Sequence, residues 1–395
     1  MPNATILIVD DEPYNLDYLE QELEEAGYAS LLASDGLQAL EQVRTAHPDL
    51  VLLDIMMPRM DGFQVLSVLK GDPATRDIPV IVISADTDLR SVVQGIRLGA
   101  DDYLPKPFEP VLLHARIASG LERKRLHDLE TVYREGLERE LEIGRQIQQS
   151  FLPAQLPKVE GWEIAACFRS AREVAGDFYD AFLLPNGQLA CVLGDVCGKG
   201  VGAALFMTLF RSLIRATLTS ACFRDEVLPL LTPAEALAQA VAFTNRYVVE
   251  THGDEGIFCA LFVGVLDPAN GCLAYANCGS DPPLLVSDGV ARAELWPTGP
   301  VVGILDKATF EVKEVVLGPG DTLVAYTDGV IDALNEAGVP FDMAGLHAAL
   351  AAGTGEHPMG ARALVAQVEA RVKAHIGGAS PFDDITLIAM GRPNP

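Results

Sequence analysis

Two sets of aspartates in this 395-residue chain have the types and spacing for phosphate chemistry. The first is Asp10, Asp11 and Asp54, followed by Ser84 and Lys106. Asp10 and Asp11 follow an apolar run, and Asp54 closes the run Leu-Val-Leu-Leu. Paired carboxylates of this kind hold Mg2+, which prefers oxygen ligands and keeps several waters. A carboxylate can itself attack phosphorus and form an acyl phosphate when cations neutralise the charge. Lys106 supplies such a cation, and Ser84 a hydroxyl for the new phosphoryl oxygens.

The second set is Asp177, Asp195, Asp328 and Asp383, spread over more than two hundred residues. Each follows an apolar stretch or opens a turn, and none has a His or Cys beside it in a ligand pattern. Such a set suits hard cations, Mg2+ or Mn2+, better than zinc. Two such ions close together lower the pKa of a bridging water and drive in-line attack on a phosphoester. No nucleophilic side chain is needed, and neither a Cys phosphatase motif nor HExxH occurs. Gly198-Lys199-Gly200-Val201-Gly202 looks superficially like a phosphate loop. Its spacing fails GxxxxGK[ST], and no Ser or Thr follows the lysine. Its glycines fit a tight strand-to-helix turn instead.

The elements around the first set alternate. Candidate strands at 6–9, 28–33, 50–53, 79–84 and 102–105 are separated by helical patterns, the last over 110–126. Five such units predict a doubly wound parallel sheet. Ligands of such a sheet sit beyond the carboxyl ends of its strands, where these residues fall. Residues 111–152 lack a strong breaker, and Leu126, Leu129, Tyr133, Leu137, Leu141 and Ile147 recur at spacings of three to six. That predicts one long helix with an imperfect coiled-coil stripe, or alternatively a helix packed on its own two domains. It stops at Pro153. From 155 onward strands dominate, with Asn-Gly steps at 186–187 and 270–271 fitting hairpin turns. Helical patterns at 203–218, 233–248, 344–352 and 360–375 complete an α+β domain built on antiparallel sheets.

VDDE, LLDIMMPRMDG, ISA and YLPKPF at these intervals resemble the receiver domain of two-component response regulators, over residues 5 to about 122. The resemblance implies phosphorylation of Asp54 by a sensor histidine kinase. It implies Mg2+ held by Asp10, Asp11, Asp54 and the Met56 carbonyl, with Ser84 and Tyr103 as a switch pair. The ordered segments VAGDFYD, LGDVCGKG, YTDGV and FDDIT, with RQIQQSFLP and AALFM, resemble PPM-type metal-dependent serine/threonine protein phosphatases. The branch is the bacterial one of the stage II sporulation phosphatase and the environmental-stress regulators. This implies a β-sandwich flanked by helices, with two Mn2+ or Mg2+ ions. The implied ligands are Asp177, Asp195, the Val196 carbonyl, Asp328 and Asp383. Asp384 is a further candidate ligand, and Arg172 a candidate for the substrate phosphate. Two departures stand out: Ala175-Gly176 replaces a paired glycine, and Asn277-Cys278-Gly279-Ser280-Asp281-Pro282 lacks the family's histidine.

The expected organisation is therefore a receiver at 1–122, a helical linker and possible coiled coil at 123–154, and a phosphatase domain at 155–395. The expected substrate is a phosphoserine or phosphothreonine on an anti-sigma-factor antagonist or another sigma-factor pathway protein. Phosphorylated receivers commonly dimerise, so a homodimer is expected when Asp54 is phosphorylated. The rival reading is a binding module, an adaptor for a sigma factor or anti-sigma partner. A related receiver-bearing adaptor for the stationary-phase sigma factor has lost its metal carboxylates, whereas this chain keeps them. The net charge of -26 disfavours nucleic acid and membrane surfaces as partners. The seven cysteines form no CxxC pair and fit reduced thiols in a cytoplasmic protein. No run approaching the length of a membrane helix is expected.

Overall fold

The computed structural model describes residues 4–84, 89–221, 232–351 and 359–394. Cys222, Ala85 of the Ile-Ser-Ala stretch and Ala352 lie outside the described residues. The chain divides into two units, Met1–Glu138 and Arg139–Pro395.

Unit one runs β1 (Thr5–Val9), α1 (Pro13–Glu25), β2 (Ala29–Ala33), α2 (Gly36–Ala46), β3 (Leu50–Asp54), α3 (Gly62–Gly71), β4 (Val80–Ser84), α4 (Leu89–Arg97) and β5 (Asp102–Pro105). The sheet order is β2-β1-β3-β4-β5, and every pairing is parallel. β3 and β4 are buried along their whole length, as strands covered by helices on both faces must be. That explains their unbroken Val/Ile/Leu runs. Local chemistry starts the helices: Asp35 accepts from the Leu37 and Gln38 amides, and Asp61 and Gln64 form a capping box.

The last helix of this unit, α5 (Pro110–Phe151), is 42 residues long and continues into unit two. Its early residues Leu113, Ile117 and Leu121 are buried in the first core. Leu126, Leu129, Tyr133 and Leu137 of the predicted stripe are exposed, so their own unit leaves them uncovered.

Unit two holds β6 (Glu163–Arg169), β7 (Asp177–Leu183), β8 (Leu189–Val196), α6 (Val201–Ala221), α7 (Pro233–His252), β9 (Cys259–Leu266) and β10 (Cys272–Cys278). There follow β11 (Leu284–Ser287), β12 (Val290–Glu294), β13 (Lys313–Val316), β14 (Asp321–Tyr326), α8 (Asp328–Ile331), α9 (Asp342–Ala351), α10 (Ala361–Ile376) and β15 (Ile385–Gly391). Two five-stranded sheets form, ordered β13-β10-β9-β8-β7 and β12-β11-β14-β15-β6. Leu193 and Phe262 of one sheet share a buried cluster with Leu323 and Ile388 of the other. A second cluster packs α6 and α7 on the first sheet, and a third packs α9 and α10 on the second. The result is a sandwich flanked by helices, as expected. Both Asn-Gly steps fall at hairpin turns, between β7 and β8 and between β9 and β10.

One expectation needs correcting. Val201–Ser220 is long and apolar enough to cross a membrane by length and composition, with mean hydropathy 1.4. Arg211 and Arg215 are its only charges. Its apolar residues Met207, Phe210, Ile214 and Leu218 are fully buried against the first sheet. Among the described residues six cysteines are free, and burial pushes the Cys191 and Cys278 thiols up to about 12.

Candidate functional site

The first site lies at the carboxyl ends of β1, β3, β4 and β5. Asp10 is 1% exposed and Asp54 4% exposed, while Asp11 is more open. These three carboxylates each offer an oxygen, and all three oxygens lie within 4.8 Å of one another. Lys106 Nζ stands 2.7 Å from Asp10 and 3.1 Å from Asp54. The Asn15 amide and the Glu12 backbone N–H also donate to Asp10. Burial pushes the Asp54 carboxyl up, and the ammonium of Lys106 offsets only part of that. Burial also opposes the charge on Lys106, but its contacts with Asp10 and Asp54 outweigh it, so its pKa is raised. The Met56 backbone N–H donates to Asp54, which places Met56 beside the cluster with its side chain exposed. Ser84 is fully buried at the end of β4. The Tyr103 hydroxyl comes within 3.5 Å of the Ser84 carbonyl, the outer limit of a hydrogen bond. Lys106 precedes a cis proline, Pro107.

The second site is assembled from both sheets of the sandwich. Asp177 and Asp195 face each other directly across the β7–β8 ladder. Asp328 opens α8 just past β14, and Asp383 stands just before β15. β14 and β15 are neighbours, so both residues belong to the second sheet. Asp177 joins the two halves. It is 2% exposed, and its Oδ2 accepts from the Thr327 hydroxyl at 2.6 Å and the Thr386 hydroxyl at 2.5 Å. Both threonines are buried on the second sheet. Val196, whose carbonyl is the expected further ligand, is buried, and its backbone N–H donates to the Gly176 carbonyl at 3.4 Å.

Crowded carboxylates raise one another's pKa. Asp177 is pushed well above the usual range by burial and by Asp195. Asp195 is raised to about 6 by burial, with Asp328 and Asp383 adding to it. Asp328 is raised by burial and by Asp383, Asp332 and Asp281. Hard oxygen donors with this much uncompensated charge fit divalent cations. The second set is nevertheless more open than the first. Among the described residues, only Asp10, Asp11 and Asp54 offer three ligand oxygens all within 4.8 Å of one another.

The remaining residues of the motifs make the following contacts. Asp384 accepts from the Ala171 and Gly176 amides at 2.8 Å each, and so ties down the loop that leads into β7. A Cβ on Gly329 would stand 1.9 Å from the Asp384 carbonyl, so only glycine lets α8 start there. Arg172 is exposed and lines a small cavity with Lys199, Asp383 and Asp384. Asp180 turns away, buried against Arg211 and Arg215 of α6. In the stretch that lacks the family's histidine, Asn277 shapes the turn by accepting from the Ser280 amide at 2.9 Å.

Three functional neighbours were not singled out from the sequence. Thr327 and Thr386 sit inside quoted motifs, and a hydroxyl beside a buried carboxylate was the available signal. The third is Gln148, near the end of α5. It donates to the Ala175 carbonyl at 2.6 Å and accepts from the Ala175 amide at 3.0 Å. Ala175 is two residues from Asp177.

Comparison with known proteins matches both units. The family model for stage II sporulation protein E (SpoIIE) covers residues 185–393, which is 209 of 395. The response regulator receiver domain covers residues 6–118. Protein IcfG of Synechocystis sp. is 41% identical over 266 residues, covering 64% of this chain and 41% of that protein. The DNA-binding response regulator MtrA of Mycolicibacterium smegmatis is 44% identical over 118 residues, covering 30% of this chain and 50% of that protein. The chain thus spans half or less of the length of these relatives. Among solved structures, the SiaA-PP2C domain of Pseudomonas aeruginosa superposes with TM-score 0.51 at 23% identity. That match covers 65% of this chain and 97% of that one, and it is a likeness of fold.

Proposed function

Because this chain belongs to the stage II sporulation protein E (SpoIIE) family and carries a response regulator receiver domain ahead of it, we propose that it is a protein phosphatase controlled by its own phosphorylation. The observation that carries this reading is the retention of Asp177, Asp195, Asp328 and Asp383 on two sheets joined through Asp177. In this reading the receiver spans 1–122, the helical linker 123–154 and the phosphatase 155–395. The chain is a cytoplasmic protein.

At the first site a sensor histidine kinase donates the phosphoryl group to Asp54. Lys106 neutralises part of its charge, and Ser84 and Tyr103 report it; Asp10, Asp11, Asp54 and the Met56 carbonyl would hold a Mg2+ ion, which would supply further charge neutralisation there. At the second site Asp177, Asp195, the Val196 carbonyl, Asp328 and Asp383 would hold two Mn2+ or Mg2+ ions. Bound there, such ions supply Lewis-acid charge neutralisation for the attack of water on a phosphoester. Thr327 and Thr386 hold Asp177 in place, and Asp384 holds the loop before it. Arg172 faces the same rim and receives the substrate phosphate.

The substrate is a phosphoserine or phosphothreonine of an anti-sigma-factor antagonist. The exposed Leu126, Leu129, Tyr133 and Leu137 of α5 support pairing of two such helices when Asp54 is phosphorylated.

The test is Mn2+-dependent phosphate release from a generic phosphoester by the full chain. The Asp195→Asn and Asp328→Asn variants should lose it. A wild type inactive with every divalent metal would leave only the adaptor reading. For control by phosphorylation, Asp54→Ala is compared with wild type treated with a small phosphodonor. Equal activity and equal oligomeric state would remove the switch.

A further inference from the structure

Lys199 has no role in the chemistry described so far, because its glycine-rich surroundings fail as a phosphate loop. The structure gives it a partner. Gly198 (φ +92) and Gly200 (φ +82) flank it in the left-handed region, with open space where a Cβ would stand. These glycines therefore serve the backbone path and not clearance. The path brings the lysine back over the loop before β15. Its Nζ lies 2.7 Å from Asp383 Oδ2 and donates to the Phe382 carbonyl at 3.0 Å. It also stands 4.4 Å from the centre of the Phe382 ring. Carboxylate, carbonyl and aromatic face together fix one ammonium on one carboxylate oxygen. Among the described residues, no ion pair reaches Asp177, Asp195 or Asp328. Among the described residues, Asp383 is thus the one carboxylate of the four that carries an internal cation.

We propose that Lys199 is a built-in counter-cation for Asp383, which must be displaced before that carboxylate can ligate a divalent ion. The inference rests on the metal reading of the second site. Lys199 is in this sense a positioning residue: it acts through Asp383 and sets how readily the site fills. The displaced ammonium stays tethered at the rim, beside Arg172 in the same cavity. The side chains of the pair are 36% and 31% exposed, so solvent screens the competition. The expected effect is about 2- to 5-fold in cation affinity, the range of a partly exposed ion pair.

The experiment titrates Mn2+ into the full chain and reads the free ion by electron paramagnetic resonance. It is done in an Asp10→Asn, Asp11→Asn background, so that the first site does not count. Lys199→Gln and Lys199→Met should bind Mn2+ about 2- to 5-fold more tightly, and Lys199→Arg should stay near the starting affinity. The gain should vanish when Asp383→Asn is added, because the two residues act as a pair. Unchanged or weaker binding by both neutral variants overturns the proposal. So does a gain that persists without Asp383, which would mark a diffuse charge effect. If the background protein binds no Mn2+ at all, the metal reading of the second site falls, and this inference with it. Binding by that protein without a lysine effect removes this inference alone.

Discussion

The Thr386 hydroxyl, on a strand of one sheet, donates to the Asp177 carboxylate on a strand of the other at 2.5 Å. Thr327 makes the same reach at 2.6 Å, and its hydroxyl in turn accepts from the Thr386 amide. The contact between the two halves of the second site is therefore a hydrogen-bonded carboxylate inside the sandwich, not a surface feature. The buried oxygen has no water to replace these bonds if they are lost.

Thr386→Val keeps the shape and removes the donor. It should destabilise the protein by about 1–3 kcal/mol, read from the midpoint of denaturant unfolding. Mn2+-dependent phosphate release should fall about 10-fold or more, as expected when a group orienting a ligand is lost. Activity equal to wild type would mean that Asp177 needs no such support.

Gln148→Ala leaves the Ala175 amide and carbonyl buried without partners. The cost should be about 1–3 kcal/mol, and the loss of Mn2+ affinity should exceed what that destabilisation explains. Gln148→Glu should be worse, because a carboxylate cannot donate to the Ala175 carbonyl. Isothermal titration with Mn2+ checks both. Wild-type affinity in the two variants would show that the end of α5 does not bear on the site.

Asp180→Asn removes the counter-charge of two arginines. Arg211 is 12% exposed and carries most of the effect, while Arg215, at 42%, stays partly solvated. Breaking a buried pair by removing one partner costs about 3–5 kcal/mol, so a clear fall in Tm is expected. Residual Mn2+ binding should survive in the folded fraction, since Asp180 lies outside the carboxylate set. Loss of binding at full stability would contradict that separation.

The pH dependence follows from Asp195. Its carboxyl is raised from 3.8 to about 6, chiefly by burial. The folded state therefore holds a proton that the unfolded state has lost, and this group's share of stability falls as pH rises from about 4 to about 6. The shift corresponds to a loss on the order of 3 kcal/mol in the metal-free protein. Chelator-treated wild type and Asp195→Asn should thus diverge over that window, with the variant the more stable at neutral pH. Adding Mn2+ should raise the Tm of wild type more at about pH 7 than at about pH 5. A metal effect independent of pH would remove Asp195 from the ligand set.

Much of the fold was legible because periodicity and turns are local. The unbroken run of β3 ending in Asp54, the Asn-Gly hairpins, and the stop of α5 before Pro153 all follow from neighbouring residues. The first site was legible for the same reason: a parallel sheet delivers every strand end to one edge, so Asp10, Asp54 and Lys106 had to meet, with Ser84 at the end of β4. Val201–Ser220 was harder, because a long apolar stretch does not state what it packs against.

The residue types and order of this chain determined by themselves that two carboxylate sets exist, that one lies at a parallel sheet edge, and that the other is spread over antiparallel strands. Tertiary structure alone decided which oxygens do what. It placed Asp384 on backbone amides, Asp180 on two arginines, Lys199 on Asp383 and both threonines on Asp177. Each of these pairings except Asp180 with α6 spans more than one hundred residues of sequence. A hydrogen bond depends on distances of about 3 Å, and no local pattern encodes which distant side chain will arrive within that reach.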